Sequence, residues 1–151
     1  MLTDTEVQAI LQDNSKRIEE DVQWQTSSDH QMWLFFKADV MSDSGYPLFV
    51  NVTLNREAGK MSIALINRAA GRRIYGLCLG NDHSDPTKGR IGDLHKHKWS
   101  EDYADKSAYV PNDITAEIAD PVLVWQQFCK EARIKHLGQL APPPHRQMEL
   151  P

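Results

Sequence analysis

Between residues 34 and 79 the chain alternates apolar and polar side chains with a period of two, and turn-forming residues interrupt the alternation. A strand with one buried face produces this pattern, and a slip of one residue would turn its whole apolar set to water. Leu34, Phe36, Ala38 and Val40 fall on one face of the first run, with Lys37 and Asp39 on the other. Ser42-Asp43-Ser44-Gly45-Tyr46-Pro47 then reads as a turn. Leu48, Val50, Val52 and Leu54 alternate with Asn51, Thr53 and Asn55, and Arg56-Glu57-Ala58-Gly59-Lys60 makes a hairpin connection. Met61, Ile63 and Leu65 mark a third strand. A fourth runs from Arg72 to Leu79 and ends at Gly80. Strands joined by short turns form an antiparallel meander, and a fifth, shorter strand is expected around Leu94–Trp99.

Helical patterns flank the meander. Thr3 and Glu6 have the spacing of a capping box, and Val7, Ile10, Leu11, Ile18 and Val22 recur at roughly helical intervals. These predict a helix from about Asp4 to Glu20, interrupted on its apolar stripe by Asn14. Near the other end Asp120-Pro121 is a helix start, with Asp as cap and Pro at the first helical position. Val124, Trp125, Phe128, Cys129 and Ala132 continue a stripe to Ile134, with Gly138 as the expected stop. The predicted class is α+β: an antiparallel sheet of four to six strands flanked by an N-terminal and a C-terminal helix. The chain of 151 residues is long enough for one buried core. A single domain over 1–138 and a Pro-rich flexible tail over 139–151 are expected. Trp33, Phe35, Trp125 and Phe128 are assigned to the core, and His30, His136 and His145 to solvent.

No apolar run approaches the roughly 20 residues of a membrane span. The acidic start Met1-Leu2-Thr3-Asp4-Thr5-Glu6 lacks the layout of a signal peptide. A cytoplasmic protein without a membrane partner is therefore expected; Cys78 and Cys129, far apart in sequence, could form a single disulfide but are read as buried free thiols. The formal net charge of −4 is unevenly spread. Residues 1–59 carry four basic and ten acidic side chains, residues 60–98 eight and three, and residues 99–151 five and eight. The middle band is thus basic between two acidic segments. A basic patch of this kind attracts phosphate even on an acidic protein, although Lys and Arg also line sheet edges for solubility.

The basic band contains Gly89–Lys106, the stretch richest in reactive side chains. On a strand, His95, His97 and Trp99 share a face and Lys96 and Lys98 take the other. The two imidazoles would stand about 7 Å apart. They could bind a metal with His83 or a carboxylate as a third ligand, act as an acid–base pair on a phosphodiester, or serve only as hydrogen-bonding residues of a loop. An H-x-H pair is a weak metal signal and neither cysteine has ligand spacing, so no metal and no other cofactor is assigned. For acid–base work Glu101 could orient a histidine, while Lys106, Arg90, Lys88 and Lys98 could stabilise phosphate charge. Arg72 and Arg73, at a strand start, could contact phosphate as well.

Asp82-His83-Ser84-Asp85-Pro86-Thr87-Lys88-Gly89, His95-Lys96-His97-Lys98-Trp99-Ser100-Glu101-Asp102-Tyr103-Ala104-Asp105-Lys106-Ser107-Ala108-Tyr109 and Trp125-Gln126-Gln127-Phe128-Cys129 together resemble a signature. It belongs to a family of small uncharacterised bacterial proteins and reads roughly PHxNPDG, a spacer, HxHxYxEGYxDKWAYP, and a C-terminal helix with F-x-x-[YF]-C. The likeness spans roughly residues 48–135. The signature histidines correspond to His83, His95 and His97, and its acidic and basic positions to Glu101, Asp105 and Lys106. Asp102 stands where the signature has glycine and Ser107 where it has tryptophan. Members look toxin-like or associated with mobile elements, so the resemblance implies a compact α+β domain with a polar site and no particular activity.

Two functions are compatible with these residues. One is a toxin-like endoribonuclease or nucleotide-directed enzyme: His95 and His97 as acid and base, Glu101 as orienter, and Lys106, Arg72, Arg73, Lys88, Arg90 and Lys98 toward RNA or a nucleotide. The other is a non-enzymatic binding protein, such as an antitoxin, a phage anti-defence inhibitor or a regulator, meeting a cognate protein partner through its acidic segments.

Overall fold

The computed structural model describes residues 2–26, 33–80 and 119–144 in full, and the backbone alone of 83–85, 89–92, 95–100 and 104–109. The class is α+β, with helices α1 (Asp4–Gln12) and α2 (Pro121–Glu131). The main sheet is built from β2 (Gln25–Thr26), β3 (Leu34–Val40), β4 (Leu48–Asn55), β5 (Lys60–Asn67), β6 (Arg72–Leu79), β9 (His95–Ser100) and β10 (Ala104–Tyr109). Their spatial order is β10-β9-β6-β5-β4-β3-β2, six full strands and a two-residue edge strand. Every pairing in this sheet is antiparallel. A separate hairpin, β7 (His83–Asp85) with β8 (Gly89–Gly92), is inserted before β9.

The alternation read from the sequence sets the two faces. Val50, Val52, Ile63, Leu65 and Leu77 are fully buried, and α2 covers them with Trp125 and Phe128. Phe36 meets Trp24 and Trp125 edge-on, at centroid distances of 5.0 and 5.2 Å. Phe35 has the opposite parity and is only half-buried on the outer face, not in the core as expected.

α1 begins as the sequence predicts, with Thr3 accepting a hydrogen bond from the Glu6 amide at 3.1 Å. It ends at Gln12, well short of Glu20. The Ser15 amide and hydroxyl both donate to the Asp13 carboxylate, at 2.8 and 2.6 Å, and draw the backbone into a turn. Lys16, with no exposed surface, donates from Nζ to the Ile10 and Leu11 carbonyls at 2.6 and 3.0 Å, so a side chain satisfies the last turn of the helix. Ile18 and Val22 still reach the core, from the short strand β1 (Arg17–Ile18) and from a bridge to Leu140 rather than from a helix.

Asp120 caps α2 through the Leu123 amide at 3.2 Å, with Pro121 as the first residue. The helix stops at Glu131, and Arg133 carries the positive φ (59°) that reverses the chain. Gly138 is therefore not the helix stop. A Cβ there would lie 2.4 Å from the Glu20 carbonyl oxygen, so glycine lets two backbones approach. The approach follows from β11 (Lys135–His136) pairing in parallel with β1. The beginning of the Pro-rich segment is bonded to the domain: the Ala141 amide donates to the Val22 carbonyl at 3.0 Å, and Trp24 Nε1 donates to the Ala141 carbonyl at 2.9 Å.

Candidate functional site

The strand register brings part of the predicted site together on the outer face of the sheet. In β5 the outer positions are Ser62, Ala64 and Ile66, opposite Cys78, Gly76 and Arg73 of β6. From β6 the register continues to β9, where His95 faces Cys78 and His97 faces Gly76. In β10, Ala108 faces His97. Positions 95 and 97 thus belong to the outer face, and the neighbours of position 97 across the sheet are both small, Gly76 and Ala108.

A bulge puts Arg73 on that same face. Ile66 pairs with Arg73 and Leu65 with Tyr75, so Ile74 is an extra residue in β6. Ile74 and Tyr75 both enter the core, and Arg73 stays outside. Strict alternation would give Arg73 the parity of Tyr75 and turn it inward. The side chain of Arg73 crosses the open backbone of Gly76, where a Cβ would lie 3.0 Å from its Cδ. Its guanidinium reaches the Cys78 thiol, which also lies 3.9 Å from Ser62 Oγ. Burial pushes this thiol above its ordinary range, although Arg73 and Ser62 pull it the other way. Cys78 is therefore held as a neutral thiol and is poorly suited to be a nucleophile.

The remaining predicted residues fall as follows. Arg72 is exposed at the start of β6. Lys98 pairs with Tyr75, which is core-facing, so position 98 lies on the opposite face from positions 95 and 97. Lys106 belongs to β10, within the irregular step between Ala104 and Ser107. Arg90 pairs with Ser84 in the β7–β8 hairpin, which lies against β10, and His83 pairs with Gly92. Glu101 and Lys88 lie outside the described residues. Among the described residues no three His, Cys, Asp or Glu side chains converge as a metal site.

Sequence reasoning missed two places. His136 is half-buried and held at both ring nitrogens: its Nδ1 accepts from Trp125 Nε1 at 3.1 Å, and its Nε2 lies 2.8 Å from the Glu20 carbonyl. A carbonyl only accepts, so Nε2 carries the proton. The ring forms one wall of a groove of about 550 Å³ with Trp125 and Cys129. The Cys129 thiol is driven up by burial, so the cysteine and histidine do not form an activated pair. The second place is an acidic groove of about 530 Å³ between residues 18–25 and the edge of β3, with Glu19, Glu20, Asp21 and Asp39 against Lys37. The run Glu19-Glu20-Asp21 was the available signal for it.

Among the described residues no helix is long and apolar enough to cross a membrane. A family model described as a family of unknown function (DUF6978) matches residues 2–134, and the chain belongs to that family. No curated protein and no solved structure matches the chain.

Proposed function

We propose that the protein is a toxin-like endoribonuclease, or an enzyme directed at a nucleotide, whose site lies on the outer face of the sheet at β6 and β9. The observation that carries this reading is the juxtaposition of Arg73 with positions 95 and 97. Arg73 lies over Gly76 and beside Cys78, the two residues that face His97 and His95. A guanidinium next to two imidazole positions suits acid–base cleavage of a phosphodiester. One histidine takes the proton from the ribose 2′-hydroxyl, whose oxygen attacks phosphorus. The other gives a proton to the departing 5′-oxygen, leaving a cyclic phosphate. Arg73 neutralises charge on the non-bridging oxygens, joined by Lys106 and Arg90, with Lys88 and Arg72 guiding the strand and Glu101 orienting one imidazole. In this role Lys98 contributes only to the general basic field.

The test is incubation with total cellular RNA, with and without chelator, beside a His95→Ala/His97→Ala variant and an Arg73→Ala variant. Cleavage that survives chelator, disappears in the double variant and falls at least about tenfold without Arg73 is the expected outcome. Cleavage that persists in the double variant would remove the histidines from the reaction.

A second reading, a non-enzymatic binding protein such as an antitoxin or anti-defence inhibitor, is favoured by the acidic groove beside β3. Glu19, Glu20, Asp21 and Asp39 line it beside one lysine, Lys37. Retention of a specific host protein that is lost on replacing the Asp and Glu residues of segment 1–59 by Asn and Gln would support it. Retention unchanged by neutralisation would count against it.

A further inference from the structure

β3 is paired along its whole length on one side, by β4. Among the described residues its other side is paired only at its two ends. Gln25 and Thr26 face Phe35 and Leu34, and Arg17 bridges Met41. Between these points residues 18–24 leave the edge, because Arg17 and Ile18 pair with Lys135 and His136, and Val22 with Leu140. At Met41 both backbone groups point outward: its N–H donates to the Arg17 carbonyl at 2.7 Å, and its carbonyl accepts from the Arg17 amide at 2.9 Å. The register of β3 with β4 is unbroken, so Asp39 and Lys37 share that direction. Their N–H and C=O groups face the groove of about 530 Å³, and no described backbone group bonds them.

We propose that this groove takes a short extended peptide carrying Lys or Arg side chains, added as a strand to the open edge of β3 beside Lys37 and Asp39. The inference rests on the second reading, the binding protein, and is independent of the histidine site. Unpaired strand edges recruit extended segments through main-chain hydrogen bonds. Charge selects the occupant: Glu19, Glu20, Asp21 and Asp39 line the groove against Lys37. Asp39 already pairs with Arg68, and Asp21 accepts from the Gln139 amide, which leaves Glu19 and Glu20 as the carboxylates for an incoming cation. Length selects as well. The opening runs from Phe36 to Val40, about 16 Å of strand, and closed pairing at both ends excludes the long edge of a second copy. Trp24 lines the groove and has its indole N–H fixed on the Ala141 carbonyl, so it reports on occupancy.

The experiment titrates the full chain with a capped five-residue peptide alternating Arg and Val, followed by Trp fluorescence and by the backbone amide resonances of Lys37 and Asp39. Parallel titrations use two isomers of this peptide, each N-methylated on one of the two alternate sets of backbone nitrogens, so that one isomer places its methyl groups toward β3. The expected result is saturable binding with shifts at both amides, at least about tenfold weaker for the better placed of the two N-methylated isomers. Binding should also weaken severalfold in a Glu19→Gln/Glu20→Gln variant. Equal binding of the parent and N-methylated peptides would overturn strand addition and reduce the groove to a charged surface, with the binding reading intact. Absence of shifts at Lys37 and Asp39, or an amide response that follows self-association in sedimentation, would also overturn it. Host-protein retention lost on neutralisation, beside a silent groove, would place the partner elsewhere on segment 1–59.

Discussion

Lys16 is costly to bury, because its ammonium has no exposed surface. Two carbonyls at the end of α1 hold it. Burial pulls its pKa down from 10.5 to about 8, with Arg133 adding to the effect and Asp13 and Glu131 opposing it. Asp13 itself is raised by burial but lowered more by its hydrogen bonds from Ser15 and Ser42 and by Lys16, so it stays below its ordinary value. The lysine's folded value lies below its unfolded value. Between about 8 and 10.5 the unfolded chain therefore binds more protons, and stability rises with pH in that window. Both buried cysteines act in the opposite sense, because their folded values are raised. Comparison with Lys16→Met cancels them. Between pH 7 and pH 10 the wild type should gain stability relative to Lys16→Met by up to about 3 kcal/mol in urea unfolding. Parallel pH curves for the two proteins would show that the ammonium is not desolvated. Gly138 makes a different residue-scale claim. Gly138→Ala puts a methyl 2.4 Å from the Glu20 carbonyl and should cost at least about 2 kcal/mol, because a backbone must move. Gly45→Ala, at φ +79° with open space around it, should cost only about 1 kcal/mol. Equal losses in thermal unfolding would mean that β1 and β11 do not constrain each other.

At the scale of elements, the sheet was legible and its closures were not. Val50, Val52, Ile63, Leu65 and Leu77 announce a buried face by period alone, and β6 ends at Leu79 as predicted. The end of α1 was not legible, because Asp13 and Lys16 compete for backbone groups that helical periodicity ignores. The pairing of β1 with β11 joins two-residue strands far apart in sequence, too short to show any period. The same contrast runs through the candidate site. The common face of positions 95 and 97 follows from alternation and agrees with their register against Cys78 and Gly76. Arg73 reaches that face only through the bulge at Ile74, whose sole sequence mark is the adjacent apolar pair Ile74-Tyr75. A single strand cannot declare a bulge, because the extra residue exists only relative to its partner.

For the whole molecule, the question is whether α2 and the sheet open together. Trp125 and Phe128 of α2 belong to the same buried cluster as Phe36, Leu65 and Tyr75, so detaching the helix would expose the core of the sheet. Tyr75 also donates a hydrogen bond to Glu131 across that contact. The two free cysteines sample the two layers: Cys129 is buried on α2, and Cys78 is buried on the outer face of the sheet near the end of β6. Both thiols are raised by burial, so in the native state neither supplies much thiolate to an alkylating reagent at neutral pH. Labelling must then proceed through opening, and its urea dependence measures the surface each opening exposes. Single-cysteine variants, Cys78→Ser and Cys129→Ser, should label with the same urea slope, equal to that of global unfolding measured by Trp fluorescence at the same pH. A shallower slope for Cys129 alone would identify α2 as a separately opening unit. The shared aromatic cluster would then be a contact between two units rather than the core of one.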